Sequence, residues 1–299
     1  MAISAKIGDF VRYRRRVAHT LLTDATRAKA LERKTPGDLS KLDTWLSFIS
    51  CPRSGHSLVG ALLDAHPDVV MGSEYGILDH FIWGFRRDAI AAILIEASHD
   101  IPYNRSRTRR DQPRRGGFTY SVDGQWQGRV RELRVLGDKN GSGDTDRLAR
   151  RPWLQGRIER TMGVPAKFLH MVRNPFDVAA TMAVRETEKT GRPLDLRGSI
   201  DILSTLNSAH AELIGSWAPG DAFTLKHEDL VRNPTQSLRE VMGWLGLYAP
   251  EDYLEACAAI CWDNPRKSRT RVVWDAADRD AVTALIARTP HLAGYSFSD

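Results

Sequence analysis

Residues 45–74 read WLSFISCPRSGHSLVGALLDAHPDVVMGSE. An apolar run, Trp45 to Ile49, stops at a loop of small residues, Cys51-Pro52-Arg53-Ser54-Gly55-His56-Ser57. The loop leads into an amphipathic segment from Leu58 to Ala65. Strand, tight loop, helix is the layout that turns backbone N–H groups and a helix N-terminus toward an anion.

The loop is a variant of the phosphate-binding pattern G-x-x-x-x-G-K-[ST]. Ser50 stands at the first glycine, Gly55 matches the second and Ser57 supplies the hydroxyl. His56 replaces the lysine that would reach the outer phosphates, and the nearest cation in the loop is Arg53. A kinase or NTPase needs that lysine together with Mg²⁺. This loop can cradle a phosphate but is poorly equipped to grip a triphosphate. Taken alone, it is also compatible with a generic strand-to-helix turn carrying an exposed arginine.

The rest of the chain continues the strand–helix alternation. Strands are expected near 45–50, 68–72, 133–137, 167–172 and 221–226. Helices are expected near 57–65, 75–98, 145–162, 175–188, 198–216, 234–246, 251–261 and 275–288. The expected fold is therefore α/β, a P-loop-type three-layer fold with a mainly parallel sheet and helices on both faces. Ligands in such sheets bind beyond the carboxyl ends of the strands. Thr119–Val122, Asp123-Gly124 and Gln125–Gln127 read as a hairpin with a two-residue turn. It falls within a candidate inserted flap, 100–130. Residues 1–44 are expected to form a separate basic helical arm, and residues 45–299 the main domain. In the arm Phe10, Tyr13, Val17 and Leu21 recur at helical spacing among arginines, a pattern that can lie on a membrane surface or a partner. Thr23-Asp24 reads as a cap before a second short helix.

Composition narrows the function classes. In 299 residues, 42% are hydrophobic, enough for a sizeable core. No run approaches the roughly 18 apolar residues of a membrane span, and no secretory signal is readable. The 3 cysteines, Cys51, Cys257 and Cys261, give neither a disulfide framework nor a metal spacing. The last two suit packing on one helix face. A reducing cytoplasm is the expected compartment. Lys+Arg of 43 against Asp+Glu of 37 gives a net charge of +6, which favours anionic ligands without selecting nucleic acid. Arg105, Arg107, Arg109, Arg110, Arg114 and Arg115 form a dense basic cluster without interleaved aromatics. It reads as a solvated loop, or as a lid or clamp for an acidic acceptor.

A second motif follows the buried pattern Lys167–Val172. It is Arg173-Asn174-Pro175-Phe176-Asp177-Val178-Ala179-Ala180-Thr181. Arg173 falls at a strand tip, and Pro175 suits a first helical turn, where its missing N–H costs nothing. Thr181 lies about two turns along that helix. An arginine at the strand tip and a hydroxyl on the helix can hold one phosphate from two sides; a local Arg173–Asp177 ion pair is the alternative.

Together the two motifs resemble the sulfotransferases that use 3′-phosphoadenosine 5′-phosphosulfate (PAPS). The resemblance implies that the loop Pro52–Ser57, with Arg53, Ser54, Gly55, His56 and Ser57, holds the 5′-phosphosulfate. It implies that Arg173 and Thr181 hold the 3′-phosphate. The family usually has Ser at 181 and Thr or Ser at 56. Leu62–Pro67 and Gly72-Ser73-Glu74 resemble the tyrosylprotein and related bacterial enzymes, which maps the general base onto Glu74. Leu136-Gly137-Asp138-Lys139 resembles their Gly-Asp-Lys motif, in which the lysine assists transfer. His227-Glu228-Asp229-Leu230 resembles a segment that normally begins with Tyr, and Ser268 matches a cofactor-contacting serine. The resemblance covers about residues 45–299, leaving the arm and 85–130 unmatched.

What this implies is transfer of a sulfuryl group to a hydroxyl-bearing acceptor, with a small metabolite, glycan or glycolipid preferred. Glu74 is the expected base, and Arg53 and Lys139 the charge-stabilising groups. The product would be adenosine 3′,5′-bisphosphate, and no metal is called for. Met71, Tyr75 and Ile77 are expected to give Glu74 a partly apolar setting, and His80, Phe81, Trp83, Phe85 and Trp126 are candidates for the acceptor wall. His66 reads as structural. Two alternatives stay open: a P-loop kinase or NTPase, and a non-catalytic nucleotide or polyanion binder.

Overall fold

The computed structural model describes residues 23–24, 38–100 and 120–299. The expected arm helix at 8–22 and the arginine cluster at 105–115 lie outside the described residues. Five strands form one sheet: β1 (Thr44–Ser50), β2 (Val69–Ser73), β3 (Val135–Lys139), β4 (Ala166–Val172) and β5 (Ala222–Lys226). Their order is β2-β3-β1-β4-β5 and every pairing is parallel. The α/β expectation holds, and β1, the strand that ends in the phosphate-type loop, is central.

The strand β1 is buried along its whole length, as a central strand covered on both faces must be. Leu46 and Phe48 enter one core with Leu58, Leu62, Met71, Leu169 and Leu238. Trp45 and Ile49 enter the other with Phe81, Ile90, Leu94 and Phe168. The side-chain period of two in a strand produces this division. Register is fixed by the backbone too: a Cβ on Gly137 would sit 2.0 Å from the Leu46 carbonyl oxygen, opposite which Gly137 is paired. Only glycine permits that approach.

Helices cover both faces: α1 (His56–Asp64), α2 (Leu78–Ile82), α3 (Arg87–Asp100), α4 (Ser142–Arg150), α5 (Leu154–Met162), α6 (Pro175–Thr190), α7 (Leu196–Ser216), α8 (His227–Arg232), α9 (Pro234–Trp244), α10 (Glu251–Ala259) and α11 (Ala276–Arg288). A third apolar cluster joins α6, α7 and α11 through Phe176, Ala180, Leu203 and Leu285. Two helices expected as continuous are divided. The 75–98 helix breaks at Gly84, whose φ is 81°, and the 145–162 helix breaks at Pro152, which has no N–H to donate. The short helix α8 was not expected.

The hairpin at 119–127 is not formed among the described residues 120–127. A turn does close there, with Gln125 N donating to the Val122 carbonyl. The Gln127 side chain, however, takes the place of strand pairing. Its Oε1 accepts from Val122 N, and its Nε2 donates to Tyr120 O and Ala61 O. Thr23 and Asp24 are both helical rather than capping, and Asp24 is buried as the shared acceptor of the Tyr75 hydroxyl and His80 Nε2. Cys257 is fully buried in α10 as expected, and all three cysteines are free thiols. No helix among the described residues is long and apolar enough to cross a membrane.

Candidate active site

The loop after β1 and the carboxyl ends of β2, β3 and β4 meet at one edge of the sheet. The loop is closed by Ser54 N on the Cys51 carbonyl. Gly55, at the N-terminus of α1, has φ of 94°. A Cβ there would lie 2.5 Å from His227 Nδ1. His227 is itself buried, so it has little room to yield. Gly55→Ala therefore adds a left-handed strain of about 1–3 kcal/mol to a steric overlap. A lower melting temperature is the expected outcome, checked by thermal unfolding.

Lys139, at the end of β3, is 1% exposed. Its Nζ lies 3.2 Å from Ser57 Oγ and 2.9 Å from Glu74 Oε1, donating to both. A lysine from a neighbouring strand thus reaches the hydroxyl of the loop that lacks its own lysine. Glu74 follows β2, and its N–H donates to the Lys139 carbonyl at 2.8 Å. Burial acts to raise its carboxyl, but the charge and hydrogen bond of Lys139, with Arg53 adding, hold it below the ordinary value. Met71, Tyr75 and Ile77 are core residues, and the immediate neighbour of the carboxylate is cationic rather than apolar. Glu74 is ionised at neutral pH, and what sets it apart is its placement against Lys139.

Asp138 explains that placement. It is completely buried, and its carboxylate accepts from the N–H groups of Tyr75, Gly76 and Ile77. Burial raises its pKa against those three donors. These bonds fix the turn immediately after Glu74. Arg53 and Glu74, with φ of 70° and 57°, are the two non-glycine residues with positive φ among the described residues. Backbone strain of this kind persists only where surrounding structure holds it, and it concentrates at functional sites.

His56 is within the cluster but is not a cation. Its Nδ1 lies 2.7 Å from Ser50 Oγ. Burial first, and then the charge of Lys139, push its pKa down to about 3. Gly141 packs against this pair, since a Cβ there would be 2.6 Å from Ser50 Oγ. His56 therefore fixes the base of the loop as a neutral ring.

The second motif forms the adjacent half. Arg173, at the tip of β4, donates to the Arg53 carbonyl at 3.1 Å, the Arg266 carbonyl at 2.8 Å and Ser268 Oγ at 3.2 Å. It joins the phosphate loop to the 266–271 segment, and burial lowers its pKa. Asn174 caps α6 with its side chain on Phe176 N, and Pro175 occupies the first turn. Thr181 donates to the Asp177 carbonyl of its own helix, and no hydrogen bond joins it to Arg173.

Asp177 pairs with Arg269 rather than Arg173. Arg269 donates through N at 2.8 Å, Nε at 3.1 Å and Nη2 at 3.0 Å, and both side chains are at most 5% exposed. This buried pair carries Ser268 to Arg173. Arg269→Met would leave a carboxylate buried without its partner, a cost of about 3–5 kcal/mol. Chemical denaturation is expected to show that loss, and the Asp177→Leu/Arg269→Met double variant should recover part of it. Glu228 anchors the same region by accepting from Asn174 N and the Tyr295 hydroxyl.

Other candidates fall elsewhere. His80 is 2% exposed and held by Asp24, and Phe81 packs edge-on against Trp45 in the core. Neither is placed to line an acceptor surface. Trp83 is 62% exposed. His66 is structural as expected: its Nε2 is 2.8 Å from the Tyr248 carbonyl, and its Nδ1 accepts from Asp68 N.

Residues 165–251 match the profile of a family described as the Sulfotransferase family. No curated protein matches the chain. Among solved structures, the sulfotransferase domain from the curacin biosynthetic pathway is 13% identical with a TM-score of 0.51, over 83% of this chain and 98% of that one. The sulfotransferase domain of the Synechococcus PCC 7002 olefin synthase is 18% identical with a TM-score of 0.49, over 82% and 94%. Mouse sulfotransferase SULT7A1, complexed with PAP, is 10% identical with a TM-score of 0.45, over 85% and 88%. At 13% identity the likeness to the curacin-pathway domain is one of fold. The family match spans the Arg173–Thr181 motif and the His227–Leu230 segment, and it bears out the resemblance read in the sequence.

Proposed function

We propose that this chain, whose residues 165–251 carry the sulfotransferase family match, transfers a sulfuryl group from PAPS to an acceptor hydroxyl. The observation that carries the reading is Lys139, buried between Ser57 of the phosphate loop and Glu74. Sulfuryl transfer requires an acceptor oxygen in line with the leaving oxygen and neutralisation of the charge that develops. The pairing of Lys139 with Ser57 and Glu74 supports the second of these demands. Glu74 takes the acceptor proton. Lys139, already at the loop hydroxyl, is placed to stabilise charge on the sulfuryl oxygens and the leaving phosphate, and Arg53 is assigned the same role.

The residues fit the nucleotide. Ser54, Gly55, His56 and Ser57 belong to an anion-type loop at the N-terminus of α1, where N–H groups and the helix dipole favour negative charge. Neutral His56 contributes shape and backbone rather than charge. Arg173 and Ser268, already bonded to each other, are assigned to the 3′-phosphate with Thr181. We assign the acceptor to small metabolites, glycans or glycolipid precursors and the compartment to the cytoplasm, which suits three free thiols. The test is an acceptor screen with ³⁵S-labelled PAPS and mass-spectrometric identification of the product. Label in a product heavier by one sulfuryl group supports the reading. Transfer of phosphate from ATP with no transfer from PAPS overturns it.

A further inference from the structure

We propose that His170, His210 and His291 form a binding site for one divalent metal ion of the zinc type, separate from the transfer chemistry. The three residues come from β4, α7 and the short turn Pro290–Leu292, so no spacing in the sequence betrays them. One ring nitrogen of each lies within 4.8 Å of the other two. The His170 ring is 4.9 Å from that of His210 and 4.6 Å from that of His291, centroid to centroid.

The hydrogen bonds around the cluster set the tautomers. Thr145 Oγ1 donates to the Gly141 carbonyl, so it accepts from His210 Nε2 at 3.0 Å. The lone pair of His210 is left on Nδ1. Asn207 Nδ2 donates to the Leu203 carbonyl and Cys51 Sγ, so its Oδ1 accepts from His291 Nε2 at 2.9 Å. The lone pair of His291 is likewise on Nδ1. His170 Nδ1 lies 3.2 Å from Thr224 Oγ1. His170 Nε2 and His210 Nδ1 are buried without a hydrogen-bond partner, an arrangement that costs stability unless something fills it. A ligating histidine whose other nitrogen is oriented by a hydroxyl or carbonyl is the usual support of a metal centre.

Charge agrees with geometry. Burial keeps all three rings neutral, with neighbouring histidines adding for His170 and His210; His210 falls to about 3 and His291 to about 4. Neutral imidazole is the ligating form. With Zn–N near 2.0–2.1 Å, tetrahedral coordination needs nitrogens about 3.3 Å apart, which small ring movements supply. His291 is only half-buried, giving the ion a route in and water a fourth position. The bound ion would tie β4, α7 and the 290–292 turn together. Through His291, Asn207 and Cys51 it would also steady the start of the phosphate loop.

The experiment uses the full chain, stripped with chelator and titrated with Zn²⁺ or Co²⁺ alone. One equivalent is expected to bind, with a Co²⁺ visible spectrum of tetrahedral type and a melting temperature several degrees higher. His291→Ala is expected to weaken binding at least tenfold while the metal-free protein remains folded. His210→Asn should do the same, and His291→Ala decides alone if that variant does not fold. No saturable binding to the wild type, or wild-type affinity in His291→Ala, overturns the site.

Discussion

Lys139→Met is expected to lower kcat by about 10²–10³-fold, the usual effect of removing one preorganised electrostatic contact. Methionine is flexible and apolar, suited to a buried position, so the fold should survive and the lost feature is charge. The substitution removes two contacts at once, one to Ser57 in the loop and one to Glu74. It should therefore also release Glu74. With the lysine gone, burial would act on that carboxyl with less opposition, so the acid limb of the kcat/KM profile should move to higher pH. Steady-state kinetics across pH reads both effects together. A variant of unchanged kcat and unchanged acid limb would remove Lys139 from the transfer machinery.

Glu74→Gln is the second large effect. Loss of a positioned general base typically lowers turnover by about 10²–10⁴-fold. Glutamine keeps the size and can still accept from Lys139, so affinity for adenosine 3′,5′-bisphosphate should stay within about twofold. In the wild type the carboxyl is held below its ordinary value. The free enzyme should then keep its activity as pH falls toward the ordinary glutamate range and lose it only below. Wild-type turnover in Glu74→Gln would show that the acceptor proton leaves by another route.

The sheet was legible because its strands are short apolar runs bounded by turn residues, and each of the five lies within two residues of its expected limits. The strand, tight turn and helix of the two motifs were legible because each is local. Helix limits were read less well where one residue acts against a long pattern, as Gly84 and Pro152 do. What sequence could not reveal are contacts between distant segments. Asp138 holding the turn after Glu74, Arg269 answering Asp177, His227 beneath Gly55 and the three-histidine cluster all depend on parallel strands bringing remote residues together. The local Arg173–Asp177 ion pair, the alternative to a phosphate role for Arg173, gives way to a non-local partner, Arg269. The hairpin failed for a related reason, since Gln127 satisfies backbone groups that strand pairing would otherwise have used. Within the loop, Arg53 looked like the substitute for the missing lysine at position 56. The buried cation that reaches Ser57 is Lys139, from the next strand in the sheet.

Calorimetric titration with adenosine 3′,5′-bisphosphate, beside ATP with Mg²⁺, decides whether the loop and Arg173 hold this nucleotide. Saturable binding of the bisphosphate is expected without metal, with at least tenfold loss of affinity in Arg173→Ala and no binding of ATP. Tight Mg²⁺-dependent binding of ATP, or bisphosphate binding indifferent to Arg173, would contradict it.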